Sequence, residues 1–110
     1  MTYQQLTPIL TKLRHYTENL YADRLDRLDR LILFGSQARG DAEQDSDIDI
    51  LVVLKDEVDS WTEIKRTGDF ISQLGLKNNI LICNIFVSAQ EYLEQNTALL
   101  RNIKREGMTI

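Results

Sequence analysis

Leu33-Phe34-Gly35-Ser36-Gln37-Ala38-Arg39-Gly40, and after a polar span Asp47-Ile48-Asp49-Ile50-Leu51-Val52-Val53-Leu54, carry most of the information in this chain. Residues 30–34, Arg-Leu-Ile-Leu-Phe, predict a short buried strand, which Gly35-Ser36 breaks. Residues 36–39 predict a short helix ended by Gly40, and residues 41–46 a polar, acidic loop. Residues 47–54 begin by alternating and become continuously apolar, as a strand entering a core does. Side chains alternate along a strand, so Asp47 and Asp49 share one face and Ile48 takes the other.

The flanks read outward from this centre. Residues 3–22 predict an amphipathic helix with Leu6, Ile9, Leu10, Leu13, Tyr16 and Leu20 on its apolar stripe. Thr7-Pro8 offers a second place for that helix to start. Residues 24–30 alternate in charge and predict a solvated connection with Leu25 and Leu28 turned inward. Residues 60–74 predict a helix capped by Ser60 and ended by Gly75, with Trp61 anchoring its apolar face. Residues 80–87, Ile-Leu-Ile-Cys-Asn-Ile-Phe-Val, predict a third strand. Ser88 caps a last helix over roughly 89–105, which Gly107 ends. The expectation is a small α/β (α+β) fold, with a mixed sheet of at least three strands flanked by about four helices. A single domain over 1–110 follows from the length.

Composition narrows the function classes. The 110 residues are 43% hydrophobic and 27% charged, an ordinary globular balance. The net charge of −4 argues against a broad nucleic-acid footprint and against direct nucleic-acid binding. The acids are concentrated: residues 41–59 hold eight acidic side chains and one base, Lys55. Such a segment is either a solvated loop or a cation site. Cys83 is the one cysteine, so no disulfide forms within the chain. The start, Met1-Thr2-Tyr3-Gln4-Gln5, does not resemble a signal peptide, and no apolar run is long enough to span a bilayer. A cytoplasmic protein without membrane contact is expected.

Two carboxylates on one strand face repel unless a positive charge lies between them. Hard oxygen ligands of this kind suit Mg²⁺. Gly35-Ser36 stands at a strand-to-helix turn, where glycine lets a ligand approach and the first helical amides, with the Ser36 hydroxyl, face an anion. Arg39, one turn later, is placed to hold a phosphate. A phosphate-binding turn beside a carboxylate pair is what metal-assisted nucleotidyl transfer requires. Two rival motifs fail. Asp45, Asp47 and Asp49 match the opening of an EF-hand loop, but Ile50 stands where that loop needs glycine, and Asp56 where it needs glutamate. No Gly-Lys-Ser or Gly-Lys-Thr occurs, so there is no Walker-type phosphate loop.

Gly35-Ser36, ten residues, then Asp47-Ile48-Asp49 resembles the signature of the polymerase-beta-type nucleotidyltransferase superfamily. The fuller string over 33–50, with the ending Ile103-Lys104-Arg105-Glu106-Gly107, resembles its minimal nucleotidyltransferase (MNT) branch. The resemblance implies the small nucleotidyltransferase fold and a partner, a HEPN-domain RNase toxin whose antitoxin the MNT protein is. It implies transfer of AMP from ATP to a hydroxyl of that toxin, a tyrosine in some pairs. Carried over, Asp47 and Asp49 ligate Mg²⁺, Gly35 and Ser36 hold the triphosphate, and Arg39 assists. The superfamily usually sets a third carboxylate on the neighbouring strand. Residues 80–87 hold no Asp or Glu, and Cys83 or Asn84 stands in that place, depending on register. A second reading follows from that gap: an antitoxin with a degenerate site that neutralises by binding alone.

Overall fold

The computed structural model describes residues 2–22, 26–43 and 47–110. In chain order the elements are α1 (Tyr3–Tyr21), β1 (Leu28–Phe34), α2 (Ser36–Arg39), β2 (Ile48–Leu54), α3 (Ser60–Asn78), β3 (Ile82–Ser88), α4 (Ala89–Glu94), α5 (Ala98–Glu106) and β4 (Met108–Thr109). The strands form one sheet in the order β3-β2-β1-β4. β1 runs antiparallel to β2 and β4, while β2 and β3 are parallel, joined by α3 as a crossover. This is the expected mixed sheet, with one more short strand and one more helix than foreseen.

α1 starts at Tyr3, because Thr2 forms a capping box. Gln5 N–H donates to Thr2 Oγ1 at 3.2 Å, and Thr2 N–H donates to Gln5 Oε1 at 2.8 Å. That box satisfies two end amides, so the helix begins ahead of Thr7-Pro8 and Pro8 lies inside it. The charged connection is described only in part. Leu25 lies outside the described residues, whereas Leu28 opens β1 and packs on the core. α3 runs through Gly75 to Asn78, and Asn79, at φ 52° and ψ 48°, closes it. Gly75 serves packing instead: a Cβ there would stand 2.7 Å from the carbonyl oxygen of Ile80 as the chain returns. Asp59, not Ser60, is the N-cap of α3. Trp61 is not an anchor. It is 64% exposed, with the Lys65 ammonium 4.9 Å from its ring centre. The last helix is two helices, because Thr97 caps a new one by accepting from Leu100 N–H at 3.2 Å. Ser88 and Gly107 cap where expected.

Both sheet faces are covered. Leu31, Leu33, Ile48, Ile50, Val52 and Leu54 point to α1 and α3. Ile32, Leu51 and Val53 point to α4 and α5, against Tyr92, Leu100 and Ile103. β2 lies at the centre of this sandwich, which explains its continuous apolar run.

One end of the sheet is fastened by a buried carboxylate. Glu63, on α3, is 3% exposed. Its Oε1 accepts from Tyr21 Oη at 2.6 Å and Arg66 Nε at 3.1 Å, and Arg27 Nη1 stands 3.6 Å from its Oε2. Arg27 Nε also donates to both oxygens of Asp56, at 3.0 and 3.1 Å. The cluster ties α1, the entry to β1, the exit from β2 and α3. Burial, then the hydrogen bond and charge of Glu63, push the Tyr21 hydroxyl well above its ordinary value of 10.0. Folded Tyr21 therefore keeps its proton at a pH where the unfolded chain loses it. Its stabilisation is intact below about pH 10 and declines as pH rises further. Tyr21→Phe should cost about 1.5–3 kcal/mol in urea unfolding at pH 7. It should also flatten the loss of stability above pH 10. An unchanged midpoint would show that the cluster does not fasten this end.

Candidate active site

The site lies at the other end of the central strands. β1 ends at Phe34, which pairs with Asp49 on β2. Gly35 turns the chain at φ 74° and ψ −158°, a conformation open in practice only to glycine. α2 follows: Gly35 O accepts from Ala38 and Arg39 N–H, and Ser36 O accepts from Gly40 and Asp41 N–H. The first amides of such a helix lie outside its own ladder and face away from it. Gly40, at φ 82°, closes the turn in the left-handed conformation.

Gly35 and Asp49 are in direct apposition. A Cβ on Gly35 would collide with Oδ2 of Asp49. The expected pairing of turn and carboxylate is thus a contact between the turn's backbone and the second aspartate. Asp47 and Asp49 share the sheet face on which Leu51 and Val53 pack, as alternation requires.

β2 and β3 run in parallel register, Asp49 beside Cys83 and Ile50 beside Asn84. The two candidates for the third position therefore separate. Cys83 lies on the aspartate face, while Asn84 shares a face with Ile50. Its Oδ1 is buried and has no hydrogen-bond partner among the described residues. Asp47, Asp49 and Cys83 can each offer a ligand atom such that all three lie within 4.8 Å of one another. Among the described residues no other group of this kind occurs.

Electrostatics fit a cation. Burial, and then the charge of Asp47, raise the Asp49 carboxyl above its ordinary range, while Arg39 opposes them. Burial, then Asp47 and Asp49, raise the Cys83 thiol. A divalent ion between these groups would reverse the mutual repulsion, so the donor set fits such an ion. Arg39 is held by carboxylates: Nε donates to Asp41 Oδ2 at 3.1 Å and Nη1 to Glu106 Oε2 at 3.4 Å. That clamp from the end of α5 had no signal in the sequence. His15 is exposed on α1. Trp61 opens α3 beyond the opposite end of β2, away from the aspartates.

The chain belongs to the nucleotidyltransferase domain family, whose model matches residues 18–107. Two Methanocaldococcus jannaschii proteins, each provisionally named a protein adenylyltransferase, are similar to it. MJ0141 is 36% identical over 77 residues, spanning 70% of this chain and 77% of that protein. MJ0604 is 34% identical over 100 residues, spanning 89% and 93%. A solved toxin–antitoxin structure with AMP-PNP shares the fold, with a TM-score of 0.55 at 22% identity, over 86% of this chain and 69% of that one. No helix among the described residues is long and apolar enough to cross a membrane.

Gly35→Ala tests the contact at the centre of the site. It should cost at least about 2 kcal/mol by chemical denaturation, from backbone strain and collision with Asp49. In an Asp49→Ala background the cost should shrink but not vanish, because the positive φ remains. Equal costs in both backgrounds would show that Asp49 does not press on the turn.

Proposed function

We propose that this chain transfers AMP from ATP, with Mg²⁺, to a hydroxyl of a cognate HEPN RNase toxin, a tyrosine in first place, and so acts as its antitoxin in the cytoplasm. The carrying observation is the apposition of the Gly35 turn with Asp49, beside Asp47 on the same face. The names of the two archaeal relatives support protein adenylyl transfer. The toxin–antitoxin neighbour with AMP-PNP supports ATP and a toxin partner.

In this reading Gly35 and Ser36 receive the triphosphate on the turn's amides and the Ser36 hydroxyl. Asp47 and Asp49 hold the metal. Bound there, a divalent cation supplies the charge that offsets negative charge growing on the departing pyrophosphate. The acceptor oxygen bonds to the α-phosphorus, the bond to pyrophosphate breaks, and the hydroxyl proton is released. Arg39 assists from its place against Asp41 and Glu106, favouring the charged form of Asp49. The rigid central strand fixes the carboxylates, so little reorganisation is needed.

One observation favours a second reading. Cys83, not a carboxylate, flanks Asp49. An antitoxin that neutralises by masking its toxin would need no third acid.

Intact mass of the partner after incubation with this chain, ATP and Mg²⁺ separates the two. Added AMP is expected, and an unmodified partner in a stable inhibitory complex would favour masking. Asp47→Asn and Asp49→Asn should each lower transfer by at least about 100-fold. Both should raise stability by about 0.5–1 kcal/mol, because the like-charge pair is relieved. Transfer that survives both substitutions would remove the aspartates from the chemistry.

A further inference from the structure

The strand register gives the site a donor that the carboxylate pair alone lacks. Cys83 pairs with Asp49 across β2 and β3 and lies on the same sheet face. Its sulfur and one oxygen from each of Asp47 and Asp49 lie within 4.8 Å of one another. In a tetrahedral set, bonds of about 2.1 Å to oxygen and about 2.3 Å to sulfur place ligand atoms about 3.5 Å apart, so side-chain rotations that close the gaps by about 1 Å bring the set onto one ion. Asn84 cannot serve instead, since it shares the face of Ile50, in the other apolar layer.

We propose that Cys83 is a third metal ligand at the candidate nucleotidyl-transfer site and makes that position selective for a thiophilic divalent cation of the Zn²⁺/Co²⁺ class over Mg²⁺. The inference rests on the proposed use of Asp47 and Asp49 as metal ligands and goes beyond it in naming the ligand and the ion.

The donor chemistry decides the preference. Mg²⁺ demands near-ideal octahedral oxygen geometry and gives up its water reluctantly, so a sulfur neighbour gives it nothing. Zn²⁺ and Co²⁺ accept two carboxylate oxygens and one sulfur, and leave positions open for a phosphate oxygen or water. The metal–sulfur bond forms as the thiol gives its proton to solvent. Cys83 is the chain's one cysteine, so no intrachain disulfide competes for it. A Mg²⁺ ion bound to the triphosphate and to oxygens of the aspartates is compatible with this arrangement.

Cobalt makes the bond visible. Titrating the full chain with Co²⁺ should produce a near-ultraviolet thiolate-to-cobalt charge-transfer absorption, displaced by Zn²⁺ and left in place by a large excess of Mg²⁺. Cys83→Ser should abolish the band and weaken Co²⁺ binding by about 10–100-fold, with the circular dichroism spectrum unchanged. Cys83→Asp should shift the preference toward Mg²⁺, read by calorimetry. Asp47→Asn, which keeps the thiol, should weaken the band's apparent affinity by a similar factor. Co²⁺ binding without the band, at equal affinity in Cys83→Ser, would overturn the inference and leave the aspartate assignment standing. A band that survives in both Asp47→Asn and Asp49→Asn at full affinity would overturn both, because the thiol would then bind cobalt without the carboxylates.

Discussion

A side chain on Gly35 would have to displace the carboxylate of Asp49, which crowds the place its Cβ would take. The Gly35 backbone, at φ 74° and ψ −158°, is one that other residues avoid. The two facts have one source. Phe34 and Asp49 are paired residues on antiparallel strands, so a turn leaving β1 at that point must cross directly over the carboxylate. Shifting the register by one residue would turn Asp49 into the apolar layer with Leu31 and Leu33, and Ile50 out of it. The site and the core are therefore set by the same pairing.

Holding two carboxylates close together costs stability, and the rest of the fold supplies it. β2 is covered on both faces and paired along both edges, with β1 on one side and β3 on the other. At the far end, Glu63 gathers Tyr21, Arg27 and Arg66 around one buried carboxylate. The contrast between the two ends is chemical. Glu63 is satisfied by a hydroxyl and two guanidinium groups. Asp47 and Asp49 face each other and a thiol, with Arg39 drawn toward Asp41 and Glu106. The first arrangement is complete in itself, whereas the second gains from an added positive charge.

Local chemistry was legible in the sequence. The β2 pattern, the Gly35 and Gly40 turns, and the Ser88 cap all act over a few residues, and all lie where expected. What failed depended on distant neighbours. Gly75 reads as a helix end, yet it is small so that the Ile80 backbone can return beside it. Trp61 reads as an anchor because it is apolar, yet it is exposed at the start of α3, with the Lys65 ammonium over its ring. The Thr97 cap was available in principle, as threonine before Ala98-Leu99-Leu100, but no glycine or proline marked the break. β4 is two residues long and exists only through its pairing with β1. The choice between Cys83 and Asn84 could not be made without the register of β3 on β2. Bonds such as Tyr21 to Glu63, 42 residues apart, leave no local trace.

The account stands on the Gly35 turn and the aspartate pair acting as one nucleotide–metal site. A crystal structure of the chain grown with a non-hydrolysable ATP analogue and Mn²⁺ tests this most directly, because manganese is located by its anomalous scattering. The account predicts a manganese peak within bonding distance of both Asp47 and Asp49, with triphosphate oxygens over the Gly35-Ser36 amides. A nucleotide bound elsewhere, or manganese that leaves both aspartates untouched, would contradict it.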